Sequence, residues 1–174
     1  MVQIRKGDKK DLNEFFELYW ISAKEHESYN ALDKLRKKED CRRVILKRQK
    51  ESMKKHRSIF IVAVNDGRVI GMATGCIGQR DEPDIFENDL QGYVDEICVE
   101  PAFRDKGIGT MLLIELERRL ARKGAELIGL AVADKNKSID FYTKHGYSVK
   151  SHWMVKMSGE KNGRKPVQTK ITDV

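Results

Sequence analysis

The sequence is poor in cysteine and histidine. Its 174 residues include three cysteines and four histidines. Cys41, Cys76 and Cys98 stand apart without a C-x-x-C pair, so we expect a reduced, cytoplasmic protein with neither a disulfide framework nor a structural zinc. The histidines are scattered and no H-E-x-x-H motif occurs, so no metal site is expected.

Long apolar runs are missing as well. No stretch approaches the roughly 18 residues that a membrane span needs, and residues 1–6 lack the apolar core of a secretory signal peptide. Hydrophobic residues still make up 40% of the chain, which suffices for the core of one domain. We predict a single domain over residues 1–158, a flexible polar tail over 159–174, and no membrane partner.

Hydrophobic periodicity and turn residues predict a mixture of strands and helices. The predicted strands cover residues 3–5, 58–64, 68–77, 93–99, 126–132 and 147–157. The predicted helices follow Asp8 and cover 31–57 (with a break near 39–41), 108–123 and 136–145. The dipeptide Asp66-Gly67 indicates a hairpin, and residues 79–90 form a polar loop. Hairpin strands followed by a strand–helix–strand unit predict an α/β fold of layered α+β type, with a mixed sheet and helices on both faces.

The most informative segment is R-D-K-G-I-G-T at residues 104–110. Two glycines at the start of a helix leave backbone N–H groups bare, at the positive end of the helix dipole. Arg104 and Lys106 add cationic donors. The segment therefore predicts a binding site for the phosphate of a phosphorylated ligand. The alternative is a tight turn with basic residues that have no role in binding.

The two common nucleotide motifs do not match this segment. A P-loop requires a lysine directly after its second glycine, and none follows Gly109. A dinucleotide fingerprint requires a third glycine, where Leu112 stands.

A second segment, N-K-S-I-D-F-Y-T-K-H-G-Y at residues 136–147, reads as a short helix between Asn136 as N-cap and Gly146 after its end. Together the two segments, in this order, resemble two signatures of the GNAT superfamily of N-acyltransferases. The resemblance is sharp over residues 93–149 and generic before residue 60.

The resemblance implies an acetyl-CoA-dependent N-acetyltransferase without a metal. Its fold would be a single, mostly antiparallel twisted sheet whose central parallel strand pair splays apart to receive the pantetheine arm. A homodimer is left open. The residues implied in acetyl-CoA binding are Ile97, Cys98, Val99, Arg104, Asp105, Lys106, Gly107, Ile108, Gly109, Thr110, Asn136 and Lys144.

Tyr142 is the candidate general acid. A tyrosine of ordinary pKa, about 10, is protonated at neutral pH and can supply a proton to a departing thiolate. Its place in a short amphipathic helix is typical of a core residue; the resemblance is what favours the catalytic role. The N–H of Val99 is the candidate donor to the oxyanion.

Asp95 and Glu96 are adjacent acids in an otherwise apolar strand. Since neighbours on a strand point to opposite faces, we expect at most one of them to face the cleft, unless a bulge in the strand changes the alternation. That carboxylate could accept a proton from an incoming ammonium or hold the cation, and we prefer Glu96. The alternative is that both lie at a solvated strand end.

Charge is unevenly distributed along the chain. Residues 34–57 carry 12 Lys or Arg against three acids, whereas residues 79–96 carry seven acids against Arg80. An acidic loop beside the cleft would attract a cationic amine such as a polyamine, a lysine side chain or a protein N-terminus; a merely solvated loop is the alternative. A rival function is a nucleic-acid or protein-binding module that uses the basic 34–57 segment, although few aromatic residues are available there to stack on bases. We expect no nucleic-acid partner.

Overall fold

The computed structural model describes residues 1–29, 34–79, 90–152 and 154–155. Its strands are β1 Gln3–Lys6, β2 Ser58–Asn65, β3 Arg68–Gln79, β4 Leu90–Val99 and β5 Leu127–Gly129. Its helices are α1 Leu12–Tyr29, α2 Lys38–Lys54, α3 Ile108–Arg122 and α4 Ile139–Lys144. Short 3-10 turns at Lys9–Asp11 and Pro101–Phe103 lead out of β1 and β4.

The five strands form one mixed sheet in the order β1-β2-β3-β4-β5. The first four are antiparallel neighbours, and β5 joins β4 in parallel. The parallel pairing covers only residues 91–93 and 127–129, while β4 continues to Val99. On the side of β4 that faces away from β3, no described strand lies beside β4 after residue 93, so the splayed parallel pair is confirmed.

Helices pack on both faces of the sheet, as predicted. On one face α3 contributes four fully buried leucines, which are Leu112, Leu113, Leu116 and Leu120. On the other face, α1 and α2 contribute Phe15, Leu18 and Ile45 to a second core that includes Met72 and Cys98. β4 therefore lies between two packed layers, and its side chains alternate between them.

Local signals placed several turns correctly. Asp66 and Gly67 have φ of +50° and +79° in the β2–β3 hairpin, the positive values that an Asp-Gly hairpin needs. Gly124 and Gly146 follow α3 and α4 with φ of +94° and +86°, as expected of residues after a helix end. Asp8 accepts a hydrogen bond from the Lys10 N–H at 2.8 Å and caps the turn before α1.

The break predicted near residues 39–41 is wrong, because α2 runs from Lys38 to Lys54 without interruption. Glu39 and Asp40 occupy its first turn, where carboxylates interact favourably with the positive end of the helix dipole. The polar stretch thus marks a helix start. Residues 30–33 lie outside the described part.

The C-terminal third also differs from the prediction. β5 has three residues where seven were predicted (126–132), and α4 starts at Ile139 with Ser138 as N-cap, not Asn136. Residues 147–152, 154 and 155 contain no strand, and Val149 and Val155 are exposed by 73% and 58%. The predicted tail at 159–174 lies outside the described residues. No described helix is both long and apolar enough to cross a membrane.

Candidate active site

A β-bulge in β4 places Asp95 and Glu96 on the same face of the sheet. Glu96 pairs with Thr74 and Val94 pairs with Gly75, so Asp95 is an extra residue without a partner on β3. The extra residue shifts the alternation of side chains. The expectation that only one acid faces the cleft is therefore wrong: both line one cavity, while Val94 packs in the core under α3.

That cavity has a volume of about 240 Å³ and lies between the sheet and helices α1 and α2. Its floor carries the two acids and Thr74, and aromatic rings of α1 form one side. The remaining wall consists of the α2 residues Ile45, Arg48, Gln49 and Ser52. The cavity is thus lined by both carboxylates and hydrogen-bond donors.

Glu96 has the properties of a general base near neutral pH. Burial, with smaller contributions from the charges of Asp95 and Glu25, raises the pKa of Glu96 to about 7. The Ser22 hydroxyl donates to its Oε1 at 2.7 Å and opposes that rise. A carboxylate with a pKa near the working pH can accept a proton and release it again.

Asp95 lies at the mouth of the cavity and keeps contact with solvent. Burial raises its pKa, and the Cys76 thiol, 3.7 Å from Oδ1, and the charge of Arg48 act in the opposite direction. Asp95 therefore adds a second carboxylate beside Glu96 in the same cavity.

The turn before α3 leaves its first amides open. Asp105 and Gly107 have φ of +60° and +77°, and Gly107 is the N-cap without a side-chain hydrogen bond to the helix. The first backbone bond of α3 runs from the Met111 N–H to the Gly107 carbonyl at 3.0 Å. The N–H groups of Ile108, Gly109 and Thr110 precede that bond and have no helical acceptor. A glycine at 107 is required by its backbone angle, since L side chains rarely adopt it.

The cationic side chains near the turn bond backbone carbonyls and Glu25 instead of lying beside the open amides. Arg104 Nε donates to the Val99 carbonyl at 2.9 Å, and its Nη1 lies 2.8 Å from Oε1 of Glu25 on α1. Lys106 Nζ donates to the Ala102 carbonyl at 3.0 Å. Arg104 thus ties the end of β4 to α1 rather than standing free beside the open amides.

The backbone of β4 faces the gap at alternate residues. The Glu100 N–H donates to the Ile70 carbonyl on β3 at 2.8 Å. Successive amides of a strand point to opposite sides, so the N–H groups of Ile97 and Val99 point away from β3, toward the gap. Cys98 instead offers its backbone to β3. Of the three predicted backbone contacts, two are positioned to meet a ligand in the gap.

Tyr142 on α4 joins the aromatic cluster with Phe141 and Tyr147, at ring distances of 5.2 and 5.7 Å. Burial and the charge of Glu96 raise the pKa of Tyr142 to about 12. The structure thus brings the phenol within the electrostatic reach of the candidate base. The core role and the catalytic role are compatible, because the ring packs while the hydroxyl remains a donor.

The other two predicted ligand contacts lie on the α4 segment. The Asn136 Oδ1 accepts from the Ser138 N–H at 2.9 Å and from its hydroxyl at 2.8 Å, so this side chain stabilises the turn into α4. Lys144 is exposed in the last turn of the helix.

Residues of α1 and α2 were missed by sequence reasoning. Ser22 and Glu25 reach the end of β4 from more than 70 residues away in sequence, and Arg48 and Gln49 face the acids across the cavity. No local motif identifies them. The acids predicted to attract a cation at 81–89 lie outside the described residues. Among those described, no group of three or more His, Cys, Asp or Glu side chains comes together as a metal site would require.

Comparison with known proteins gives a consistent picture. A family model described as the acetyltransferase (GNAT) family matches residues 12–147. An uncharacterised N-acetyltransferase of Methanocaldococcus jannaschii is 31% identical over 153 residues, which cover 84% of this chain and 61% of the relative. One of Archaeoglobus fulgidus is 32% identical over 129 residues, which cover 72% of this chain and 80% of the relative. This chain therefore spans about three fifths of the length of the first relative.

The fold is also similar to that of an aminoglycoside N-acetyltransferase solved in complex with CoA. The TM-score is 0.66 at 18% identity, covering 90% of this chain and 99% of that one.

Proposed function

Because this chain belongs to the acetyltransferase (GNAT) family, we propose that it transfers the acetyl group of acetyl-CoA to a primary amine, by direct attack in a ternary complex. The observation that carries the proposal is the open N-terminus of α3 near the end of β4, whose side away from β3 has no described strand neighbour. The CoA complex of the aminoglycoside N-acetyltransferase of similar fold supports it.

The residues present fit the coenzyme. The free amides of Ile108, Gly109 and Thr110 and the positive end of the α3 dipole suit a diphosphate. A side chain on Gly107 would start in open space beside those amides, since no described atom lies within 4 Å of a Cβ built there. The outward N–H of Ile97 would hydrogen-bond the pantetheine arm, which leaves the outward N–H of Val99 for the acyl carbonyl. The side chain of Lys106 would have to leave the Ala102 carbonyl to reach a phosphate.

The remaining groups supply the chemistry of a direct transfer. Acetyl-CoA provides an activated acyl group, and holding it beside the amine is worth roughly 7–11 kcal/mol of the barrier. Glu96 would take the proton from the ammonium, and the Val99 N–H would polarise the carbonyl. Tyr142, protonated at neutral pH because its pKa is about 12, would donate to the departing sulfur.

A route through an acyl-cysteine is disfavoured because the Cys98 thiol stays protonated. Burial, with the charge of Glu96, raises the pKa of Cys98 to about 12. A thiol that stays protonated is a poor nucleophile. The transfer we propose is therefore a single displacement.

The acceptor that suits the cavity is a cationic amine. Asp95 and Glu96 share one face of a small cavity, where carboxylates attract and orient an ammonium. A polyamine, a lysine side chain and a protein N-terminus all present such a group. A role as a nucleic-acid or protein-binding module receives less support, because two cations of α2 are engaged within the protein: Lys38 and Arg42 bond Glu17 and lie over the Phe16 ring.

Two measurements test the proposal. Calorimetric titration of the purified protein with acetyl-CoA should give binding in the micromolar range, and a panel of amines should release free thiol from acetyl-CoA only in the presence of the protein. Salt-sensitive binding to DNA without any binding of acetyl-CoA would favour the rival function instead.

A further inference from the structure

The cavity beside Asp95 and Glu96 also has a wall that carries hydrogen-bond donors and a positive charge. Arg48 and Gln49, consecutive residues of α2, line it across from the acids. Arg48 is the one cation among the lining residues of this cavity. A ligand whose only charged group is an ammonium would be attracted by the two acids, but the guanidinium of Arg48 would repel it.

Arg48 has no ion pair within the described part of the chain. Six other arginines each form an ion pair with a carboxylate. They are Arg5, Arg42, Arg68, Arg104, Arg118 and Arg119. Arg48 shares a cavity with two carboxylates yet lies beyond 4 Å from either. Its five donors remain available to a ligand.

Gln49 provides a second group that can bond a polar ligand. The residue is only 7% exposed and lines the cavity, and no hydrogen bond to its carboxamide occurs among the described residues. Among those residues only Gln91 Nε2 is a buried side-chain atom without a partner, so the Gln49 carboxamide is open to the cavity. Its oxygen and its N–H groups can therefore bond a ligand there.

We infer that the acceptor is a small amine that also carries a carboxylate, as a free amino acid does, with the carboxylate held by Arg48 and Gln49 and the amine by Asp95 and Glu96. The inference rests on the proposed acetyl transfer. Arginine binds a carboxylate through two parallel bonds, and a single negative charge is repelled less by the two acids than a phosphate would be. The cavity is small, with a volume of about 240 Å³, so it suits a small molecule rather than a folded protein segment.

The test compares amines that differ only by the carboxylate: lysine with 1,5-diaminopentane, and phenylalanine with phenethylamine. For the wild type, we expect kcat/KM from thiol release to favour the carboxylate-bearing member by about 10- to 100-fold, the range of hydrogen bonds to a charged group. Arg48→Ala should reduce that ratio by about tenfold or more, mainly through KM, and Gln49→Leu should reduce it in the same direction. Arg43→Ala is the matched control and should leave the ratio unchanged, because Arg43 is exposed on the same helix, as Arg48 is, but does not line the cavity.

Each outcome decides the inference. Equal activity toward both members of a pair, or a preference that Arg48→Ala leaves intact, would overturn it while acetyl transfer stands. If the wild type acetylates no amine, the proposed function fails; calorimetry of lysine and phenylalanine with the protein then still tests the site. Binding that weakens in Arg48→Ala but not in Arg43→Ala would support the site, and absence of binding would overturn it.

Discussion

Gly107 and Gly67 form a matched pair of positions that separates backbone strain from ligand binding. Their φ values are +77° and +79°, and no described atom lies within 4 Å of a Cβ built on either. An L side chain at such an angle costs about 1–2 kcal/mol. For a protein of this size each kcal/mol lowers Tm by about 2–4 °C. Gly107→Glu and Gly67→Glu should therefore both lower Tm by about 2–8 °C.

Only the variant at Gly107 should affect acetyl-CoA. Its carboxylate would start beside the free amides of α3, and a carboxylate at a helix N-terminus is held there favourably. At about 5 Å from a phosphate charge and an effective dielectric constant of about 20, the repulsion is about 3 kcal/mol. We expect a loss of affinity of at least about 100-fold, while Gly67→Glu, in the β2–β3 hairpin and outside this turn, binds like the wild type.

The assay is calorimetric titration with acetyl-CoA, with thermal unfolding of the same samples. Gly107→Gln serves as a control for charge: it carries the same strain and similar bulk, so it should lose less affinity than Gly107→Glu. Wild-type affinity in Gly107→Glu would refute the placement of the diphosphate at this turn. Equal losses in Gly107→Glu and Gly67→Glu would show that strain, not the site, is responsible.

Three further predictions concern catalysis and stability. Tyr142→Phe keeps the ring packing and should lower kcat by about 100-fold or more, with little change in acetyl-CoA affinity. Tyr93, whose hydroxyl donates to Gln91, provides the control, and Tyr93→Phe should retain activity. Unaltered turnover in Tyr142→Phe would disprove the acid role. The pKa of Glu96 is raised from 4.5 to about 7 in the folded state, so kcat/KM should rise with pH through about 7. The same shift makes the ionised side chain destabilising: the cost grows as pH rises from 4.5 and levels off above 7, at up to about 3 kcal/mol. Glu96→Gln should lose the pH dependence and most activity, yet unfold at a higher Tm than the wild type at pH 8 and not at pH 4.5; a lower Tm at pH 8 would contradict the assigned pKa. Asp11→Ala leaves the Arg5 guanidinium, bonded to both carboxylate oxygens at 2.7 Å, without its partner, and should cost at least about 2 kcal/mol in urea unfolding; a loss below about 0.5 kcal/mol would show that the pair is solvated.

Features that depend on a few neighbouring residues were predictable from the sequence. The hairpin at Asp66 and Gly67, the helix that starts at Ile108 and the glycine turn before it follow from backbone preferences that act within four or five residues. The parallel strand pair followed from element order. These features form the turn and the strand pair where we propose that the coenzyme binds, and the sequence could predict their backbone geometry.

Features that depend on distant contacts were not predictable. Arg104 was expected beside the phosphates because it is close in sequence to the open amides. In the fold it bonds the Val99 carbonyl and Glu25 instead, and Glu25 precedes it by 79 residues. The Ser22 bond to Glu96 spans 74 residues. An arginine side chain is long enough to reach several hydrogen-bond acceptors. The sequence does not show which acceptors the fold places near it.

The bulge at Asp95 decides which face of the sheet the two acids occupy, and the sequence could name a bulge only as an alternative. A rule of strict alternation assigns Asp95 and Glu96 to opposite faces, but one extra residue opposite β3 reverses the assignment for every residue before it. The bulge is a property of two strands together: a Cβ on Gly75 would lie 2.5 Å from the Tyr93 carbonyl oxygen, so β3 must supply a glycine where β4 bends toward it. Because both acids then face the same helices, their charges add in one cavity, and burial with mutual repulsion raises the pKa of Glu96 into the range that a base requires at neutral pH.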